Sequence, residues 1–409
     1  MGNKFLKNIY QQKRKYLDVF ITLSSNVLIL YLAISENKLL LAMTPFLVLR
    51  FAYVFNNYLL RNKKDQLASA EYLPSFSIII CTYNEPEENL QNLFRCIANS
   101  TVQPQEIILI DDASNSHVHI SDTFGGRLKI IRNEKNIGLR KSQIRAIEAL
   151  QQVDYVLHID SDMYFENHCI EKSLQFISNK PDGNIFGVRI TIKNAQSNYL
   201  NTYIHSSYHG NYYKRLFESS MGITLACNGA FMFTKYAFIR NITTVYGNER
   251  FAGTPLLSGT DKAITNFALQ SGKSYTIPDV SVVHEQFIFK DYIKKIQRTF
   301  KTSIIYQVRT ILLPNVSPMV RLLSTLDVIS FFISVPLQVL LLATLLQLPF
   351  FYIFIAVYLL VLVVRNDKSV AEVVKYNAYR FAIGIYFYLL KIRTLLRLRS
   401  TGWGNRQSS

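Results

Sequence analysis

The chain has 409 residues, with 45 Lys and Arg against 28 Asp and Glu, a net charge of +17 and a hydrophobic fraction of 49%. That length holds one large or two ordinary domains. A nucleic-acid module gathers its basic residues with aromatics on a soluble fold; here they gather beside long apolar runs, which favours a membrane protein with basic surfaces and predicts no nucleic-acid partner.

From the N-terminus, residues 17–34 carry one charge, Asp18, and residues 39–60 carry one, Arg50. Each run is long enough to predict a transmembrane helix. Lys4, Lys7, Lys13, Arg14 and Lys15 precede the first, Lys38 lies in the short connection, and Arg61, Lys63 and Lys64 follow the second. Lys and Arg concentrate on the cytoplasmic side of membrane proteins, so the N-terminus and the residues after Arg61 are expected there. No small-residue cleavage site flanks the first run, which therefore reads as an anchor and not a removed signal.

Between residues 74 and 284 short apolar strands alternate with helical stretches. Residues 76–81 form a β-rich run that stops at Thr82-Tyr83-Asn84-Glu85. Leu90, Leu93 and Ile97 give 89–100 a helical spacing, and 107–110 read as a second strand, stopping at Asp111-Asp112. A third strand is expected at 128–131, a helix at 142–152, and a fourth strand ending in Asp160-Ser161-Asp162. Such alternation argues for a mostly parallel sheet with helices on both faces. Polar residues recur at the carboxyl ends of the strands, where open α/β sheets bind ligands. Neither a Gly-x-Gly-x-x-Gly nor a Walker A motif is present, which disfavours dinucleotide and ATP sites of those kinds. An apolar strand ending in two carboxylates one residue apart suits a hard divalent cation, although the same pattern closes ordinary turns.

Residues 322–364 carry a single charge, Asp327, and can form two helices of roughly 20 residues each, with a turn at Gln347-Leu348-Pro349. The stretch 376–398 is interrupted by Arg380, Lys391, Arg393 and Arg397, and fits an interfacial amphipathic helix better than a span. Cys81, Cys96, Cys169 and Cys227 show no metal-site spacing, and disulfides are not expected on the cytoplasmic side.

Taken together, the ends at Thr82–Glu85, Asp111–Ser114 and Asp160–Asp162 resemble those of the inverting family 2 glycosyltransferases, and more closely their membrane-embedded polysaccharide synthases. Hyaluronan synthases look nearest, with chitin-oligosaccharide and cellulose synthases further off. Other segments carry the same likeness: Asn136-Ile137-Gly138-Leu139-Arg140, the small-residue loop Ala226-Cys227-Asn228-Gly229-Ala230, Gly259-Thr260-Asp261-Lys262 with Thr265-Asn266, and the tail Trp403-Gly404-Asn405-Arg406. The resemblance implies a GT-A-like α/β nucleotide-sugar domain inserted between transmembrane and interfacial amphipathic helices. The expected boundaries are a membrane region at 1–64, a cytoplasmic transferase domain at 65–286, interfacial helices at 287–321 and a second membrane region at 322–409.

Carried over by position, the resemblance implies that Asp112 or Asp111 accepts from the uracil or ribose of a UDP-sugar, beside Thr82 and Glu85. Asp162, with Asp160 near the donor, would hold Mg²⁺ or Mn²⁺; Arg140 and Arg298 would touch the diphosphate. Asp261 would be the general base that a single inverting displacement needs. A lone His284 at a strand end is either structural or within reach of the metal or a phosphate. Two positions depart from the family. Thr260 stands where an acidic residue usually precedes the base, and a like charge that would raise its pKa is missing. Thr299 stands where the Gln-x-x-Arg-Trp motif has its Trp, with Phe300 one residue on, pointing from a different side of a helix.

The expected function is a membrane-embedded transferase at the cell membrane that extends a hyaluronan-, chitin- or capsule-like glycan from a UDP-sugar and couples extension to export. The expected partners are the donor, a glycan acceptor, membrane lipids and a second copy in a homodimer. Single addition to a lipid-linked acceptor is the alternative, and a non-catalytic homologue the third reading.

Overall fold

The structure is a computed structural model that describes residues 72–118, 120, 124–251, 253–313, 315–345 and 370–397. The expected spans at 17–34 and 39–60, most of the second half of 322–364, and the Trp403–Arg406 tail lie outside the described residues. Of the described residues, those within 67–325 and 386–409 belong to one compact unit, and the remainder to a second.

The larger unit begins with β1 (Phe76–Thr82), then α1 (Glu87–Ala98), β2 (Ile107–Asp111), β3 (Leu128–Arg132) and α2 (Leu139–Ala149). It continues through β4 (Tyr155–Asp160), β5 (Met163–Phe165), α3 (Cys169–Ser178), β6 (Gly183–Ile192) and the long α4 (Tyr199–Ser220). Next come β7 (Phe231–Lys235), α5 (Tyr236–Gly247), the small pair β8 (Arg250–Phe251) and β9 (Thr254–Pro255), α6 (Thr260–Ser271), β10 (Lys273–His284) and α7 (Phe289–Leu312). Helices α8 (Pro318–Leu345) and α9 (Val370–Leu395) follow. Among the described residues no helix is long and apolar enough to cross a membrane.

The main sheet has eight strands in the order β3-β2-β1-β4-β7-β6-β10-β5. The β3-β2-β1-β4 half is parallel, as the strand–helix alternation predicts, and β6 pairs with β10 in parallel as well. Strands β7 and β5 run antiparallel to their neighbours, an interruption that the alternation did not signal.

Isoleucine-rich β1 is buried on both faces, which is why it reads as an unbroken apolar run and not an alternating one. Period-two geometry divides its side chains. Ile78 and Ile80 join Leu93 and Ile97 of α1 and Leu174 of α3 on one face. Ile79 joins Ile147 of α2, Ile239 of α5 and Ile264 of α6 on the other. Each such side chain contributes about 1.5–3 kcal/mol by leaving water. Helix α1 follows the same logic: Leu90, Leu93, Phe94 and Ile97 form its buried stripe, and Glu87 and Glu88 sit in the first turn, where the helix dipole favours negative charge.

The register has a direct consequence for function. Thr82 pairs with Asp111, and Cys81 with Asp160, so the polar ends of three parallel strands emerge side by side at one edge.

Candidate active site

The turns after β1 and β2 are clasped to each other. Asn84 and Ala113 both adopt positive φ, at 52° and 62°. The Asn84 amide donates to Ser114 Oγ at 2.9 Å, and the Asn115 amide donates to Asn84 Oδ1 at 2.8 Å. Within this frame Asp111 is paired with Arg132 and accepts from the Ser114 amide. Asp112 accepts from Asn133 Nδ2 at 2.7 Å and from the amides of Ile137 and Gly138 at 2.9 Å. Both aspartates are thus where a nucleotide end is expected, and both hold the loops that shape it. Asp112 ties down the Asn136–Gly138 segment singled out in the sequence. The Thr82 hydroxyl is buried with no hydrogen-bond partner among the described residues, a polar atom at the strand end available to a ligand.

Glu85 reaches across this edge. Its Oε1 accepts from Asn89 at 2.7 Å and its Oε2 from the Ser161 hydroxyl at 3.1 Å. The first strand end therefore positions the turn between the two motif aspartates. Beneath it, His158 is a core residue: its Nε2 lies 2.8 Å from Thr234 Oγ1, and burial pushes its pKa down to about 3.

Asp160 and Asp162 stand at this same edge of the sheet, at the end of β4. Asp160 keeps an edge open to solvent, yet the surrounding walls strip away enough water to push its carboxyl up to about 6, by burial first and the Asp162 charge second. Lys295 pulls the other way, Asp261 adds to the rise, and Arg298 opposes it. One electrostatic neighbourhood thus contains Asp160, Asp162 and Asp261 together with Lys295 and Arg298. Clustered carboxylates with a perturbed member are the signature of a site built to meet a ligand.

His284 joins them through sheet topology. Strand β5 starts immediately after Asp162 and pairs antiparallel with the end of β10, matching Met163 to His284. This brings His284 Nε2 to 3.3 Å from Asp162 Oδ2. Burial, then Lys295, lowers the imidazole pKa, with Asp162 opposing, which favours the neutral form that a ligand needs.

Among the described residues no group of three or more His, Cys, Asp and Glu side chains is arranged to hold a metal alone. The donor set still fits a hard cation shared with a substrate: Mg²⁺-type sites commonly use one or two protein ligands and complete themselves with phosphate oxygens. Asp162 and His284 are the adjacent pair, and Asp160 stands beside them.

Asp261 lies in the first turn of α6, after Gly259 at φ +73°. The Gly229 backbone passes so close that a Cβ there would lie 2.8 Å from Asp261 Cβ. This explains the glycine in the 226–230 loop, whose Ala230 carbonyl accepts from the Asp160 amide at 3.0 Å. The same loop therefore touches both Asp261 and the Asp-x-Asp turn. Thr260 is buried at the helix start. Lys262 donates to the Thr299 carbonyl and to Thr302 Oγ1, both at 3.1 Å, and Asn266 donates to Thr310 Oγ1 at 2.7 Å. These bonds lock α7 against the helix that carries Asp261.

Arg140 requires a correction. It does not join the Asp160 group: its guanidinium pairs with Glu249 at 2.6 Å, donates to Tyr306 Oη at 3.0 Å and stacks over the Tyr246 ring. Glu249 also pairs with Arg309 of α7. The basic residue after the Asn-x-Gly segment is a buried brace between α2 and α7. Phe300 is buried as well, with Lys391 of α9 over its ring at 5.6 Å, so it does not replace the missing Trp. Arg298 is exposed on α7, and its charge opposes the rise at Asp160. Cys81 is no nucleophile, because burial, then Asp112 and Asp160, push its thiol far up.

Residues 77–241 match the sequence model of glycosyl transferase family 2. The chain is 27% identical over 353 residues to a hyaluronan synthase of Streptococcus pyogenes serotype M1, a match covering 80% of this chain and 82% of that protein. It is 26% identical over 227 residues to an N-acetylglucosaminyltransferase of Rhizobium sp. (strain N33), covering 54% and 50%. The mannosyltransferase PcManGT from Pyrobaculum calidifontis, solved in complex with GDP-Man and Mn²⁺, shares the fold, with a TM-score of 0.56 at 15% identity over 87% of this chain and 98% of that one.

Proposed function

We propose, from the premise that this chain carries a family 2 glycosyltransferase domain and is a glycosyltransferase, that it transfers a sugar from a UDP-sugar to a growing glycan with inversion at the anomeric carbon. The observation that carries this reading is the convergence of Asp160, Asp162 and His284 in one cleft with Asp261, Lys295 and Arg298. The relatives' printed activities, a hyaluronan synthase and an N-acetylglucosaminyltransferase, support a nucleotide-sugar donor and a polysaccharide product.

In this scheme the nucleotide lies across the ends of β1 and β2, against Thr82 and the turns held by Asp111 and Asp112. Asp162 and His284, with Asp160, would hold Mg²⁺ or Mn²⁺, which would supply Lewis-acid stabilisation of the leaving diphosphate. Arg298 adds positive charge from α7. Asp261 takes the proton of the acceptor hydroxyl, since a single displacement needs one base on the acceptor side. The buried Thr260 gives that base no acidic neighbour in the chain, and Lys262 is bonded toward Thr299 and Thr302, away from the role of a second acid.

The apolar segments outside the described residues support a membrane location with the catalytic domain in the cytoplasm and export coupled to extension. A second reading, single addition to a lipid-linked acceptor, is favoured by one observation. Thr299 occupies the expected Trp position and Phe300 is buried, so neither of these two positions offers an aromatic platform for a sliding glycan.

The test is UDP release by the purified full-length chain across UDP-sugars, singly and in pairs, with Mn²⁺ or Mg²⁺, followed by sizing of the product. A polymer supports the first reading and a one-sugar product the second. No release with any donor in either metal would overturn both.

A further inference from the structure

Lys295 belongs to the basic stretch of α7, one turn before Arg298, so both residues project from the same helix face. Its Nζ lies 3.3 Å from His284 Nε2 and 4.2 Å from the centroid of the Phe287 ring. Phe287 in turn stacks on the His284 ring with centroids 4.3 Å apart. The stack is anchored from α4. Asn201, fully buried, accepts from the Phe287 amide at 2.9 Å and donates to its carbonyl at 3.2 Å.

The hydrogen bonds of His284 define its tautomer. Nδ1 lies 2.7 Å from the Glu285 carbonyl oxygen, a contact that needs Nδ1–H as donor. Lys295 Nζ can only donate, so Nε2 accepts from it, and this lone-pair side of the ring lies 3.3 Å from Asp162 Oδ2. Two acceptors face one another there, an arrangement that repels unless positive charge stands close by. The Lys295 ammonium supplies it from the His284 side, 3.3 Å from Nε2, and its field also reaches Asp160.

We propose that Lys295 is a built-in stand-in for the divalent cation: it neutralises the Asp162–His284 acceptor pair in the donor-free protein and transfers to the donor's diphosphate when the metal takes those ligands. A flexible four-carbon stem carrying a compact charge suits such a move, and Phe287 gives the ammonium a cation–π seat from which to make it. Two consequences follow. Metal without nucleotide binds weakly, because it competes with Lys295 for the same lone pairs. Nucleotide diphosphate retains measurable affinity without metal, because one mobile cation remains to meet it. This inference rests on the reading of the cleft as the donor site.

The experiment uses the full chain in detergent. Mn²⁺ binding without nucleotide is followed by electron paramagnetic resonance, and UDP binding by calorimetry, in EDTA and in saturating Mn²⁺. Lys295→Met keeps the apolar stem against Phe287 and removes the charge; Lys295→Arg keeps the charge; Lys294→Met, exposed on the same helix, is the control. The expected results for Lys295→Met are about tenfold tighter Mn²⁺ binding and about tenfold weaker UDP binding in EDTA. Lys295→Arg should hold UDP in EDTA as the parent does, and Lys294→Met should change neither. Unchanged or weakened Mn²⁺ binding in Lys295→Met, with parental UDP affinity in EDTA, overturns the role of Lys295 while leaving the donor site in place. A parent chain that binds no UDP even with Mn²⁺ overturns the donor-site reading and this inference with it.

Discussion

The cluster around Glu249 and the cluster around Asp160 are both rich in charge and both involve α7, yet they follow opposite rules. At Glu249 each carboxylate oxygen has a guanidinium, and the Arg140 and Glu249 side chains are only 3% and 1% exposed. At Asp160, carboxylates face carboxylates and a histidine lone pair faces Asp162, with Lys295 and Arg298 reaching in from one side. A closed network gives rigidity and a defined geometry. An open one costs stability in the free protein, and a ligand of the missing sign recovers it. Residue type therefore does not separate brace from site; the degree to which charges are satisfied does.

The largest effect expected from this contrast is on the closed cluster. Glu249→Ala leaves Arg140 buried without its counter-charge, and unfolding experiments should show a loss of about 3–5 kcal/mol. A loss below about 1 kcal/mol would break the comparison at its firmer end.

Next in size are changes at the proposed metal ligands, where the ordering reverses. Asp162→Asn should lower Mn²⁺-dependent UDP affinity by about 10–100-fold, with stability changed by no more than about 0.5 kcal/mol. Calorimetry and a melting curve on the same sample distinguish a lost ligand from a damaged fold.

A smaller effect is expected at Asp160. Its carboxyl sits at about 6 in the folded chain against an ordinary value of 3.8. Between those values the folded state keeps a proton that the unfolded state has released, so this group's contribution to stability falls as pH rises through that window and the penalty is complete above it. Asp160→Asn should therefore stabilise the donor-free protein at pH 7, by up to about 1 kcal/mol once screening at its open edge is allowed for. The same variant should flatten the pH dependence of UDP affinity, which in the parent should decline as pH falls below about 6. A parent whose Mn²⁺-dependent UDP binding is level from pH 5 to 7 would show that Asp160 takes no part.

Much of the donor side was legible in the sequence, because it depends on local order. Parallel strands β1, β2 and β4 each end in polar residues, and one shared register places Thr82, Asp111 and Asp160 together. Asp261 and Arg298 were found by resemblance, and α6 and α7 bring both near Asp160. What was not legible depends on pairings distant along the chain. Glu249 and Tyr306 claim Arg140 from two other elements, so a basic residue after an Asn-x-Gly segment looked like a diphosphate contact. The approach of His284 to Asp162 hangs on the short antiparallel strand β5, which three residues of sequence do not announce. Lys295 has no signal of its own until that histidine is in place.

The central claim, a donor site on one side of the cleft and a base on the other, is tested most directly by Asp261→Asn in the full-length chain. UDP affinity in Mn²⁺ should match the parent, because Asp261 is not among the donor ligands. UDP release in the presence of acceptor should fall by about 10²–10⁴-fold, the usual weight of a general base. Undiminished release would contradict the assignment of the base, and a loss of UDP binding equal to the loss of release would contradict the separation of the two sides.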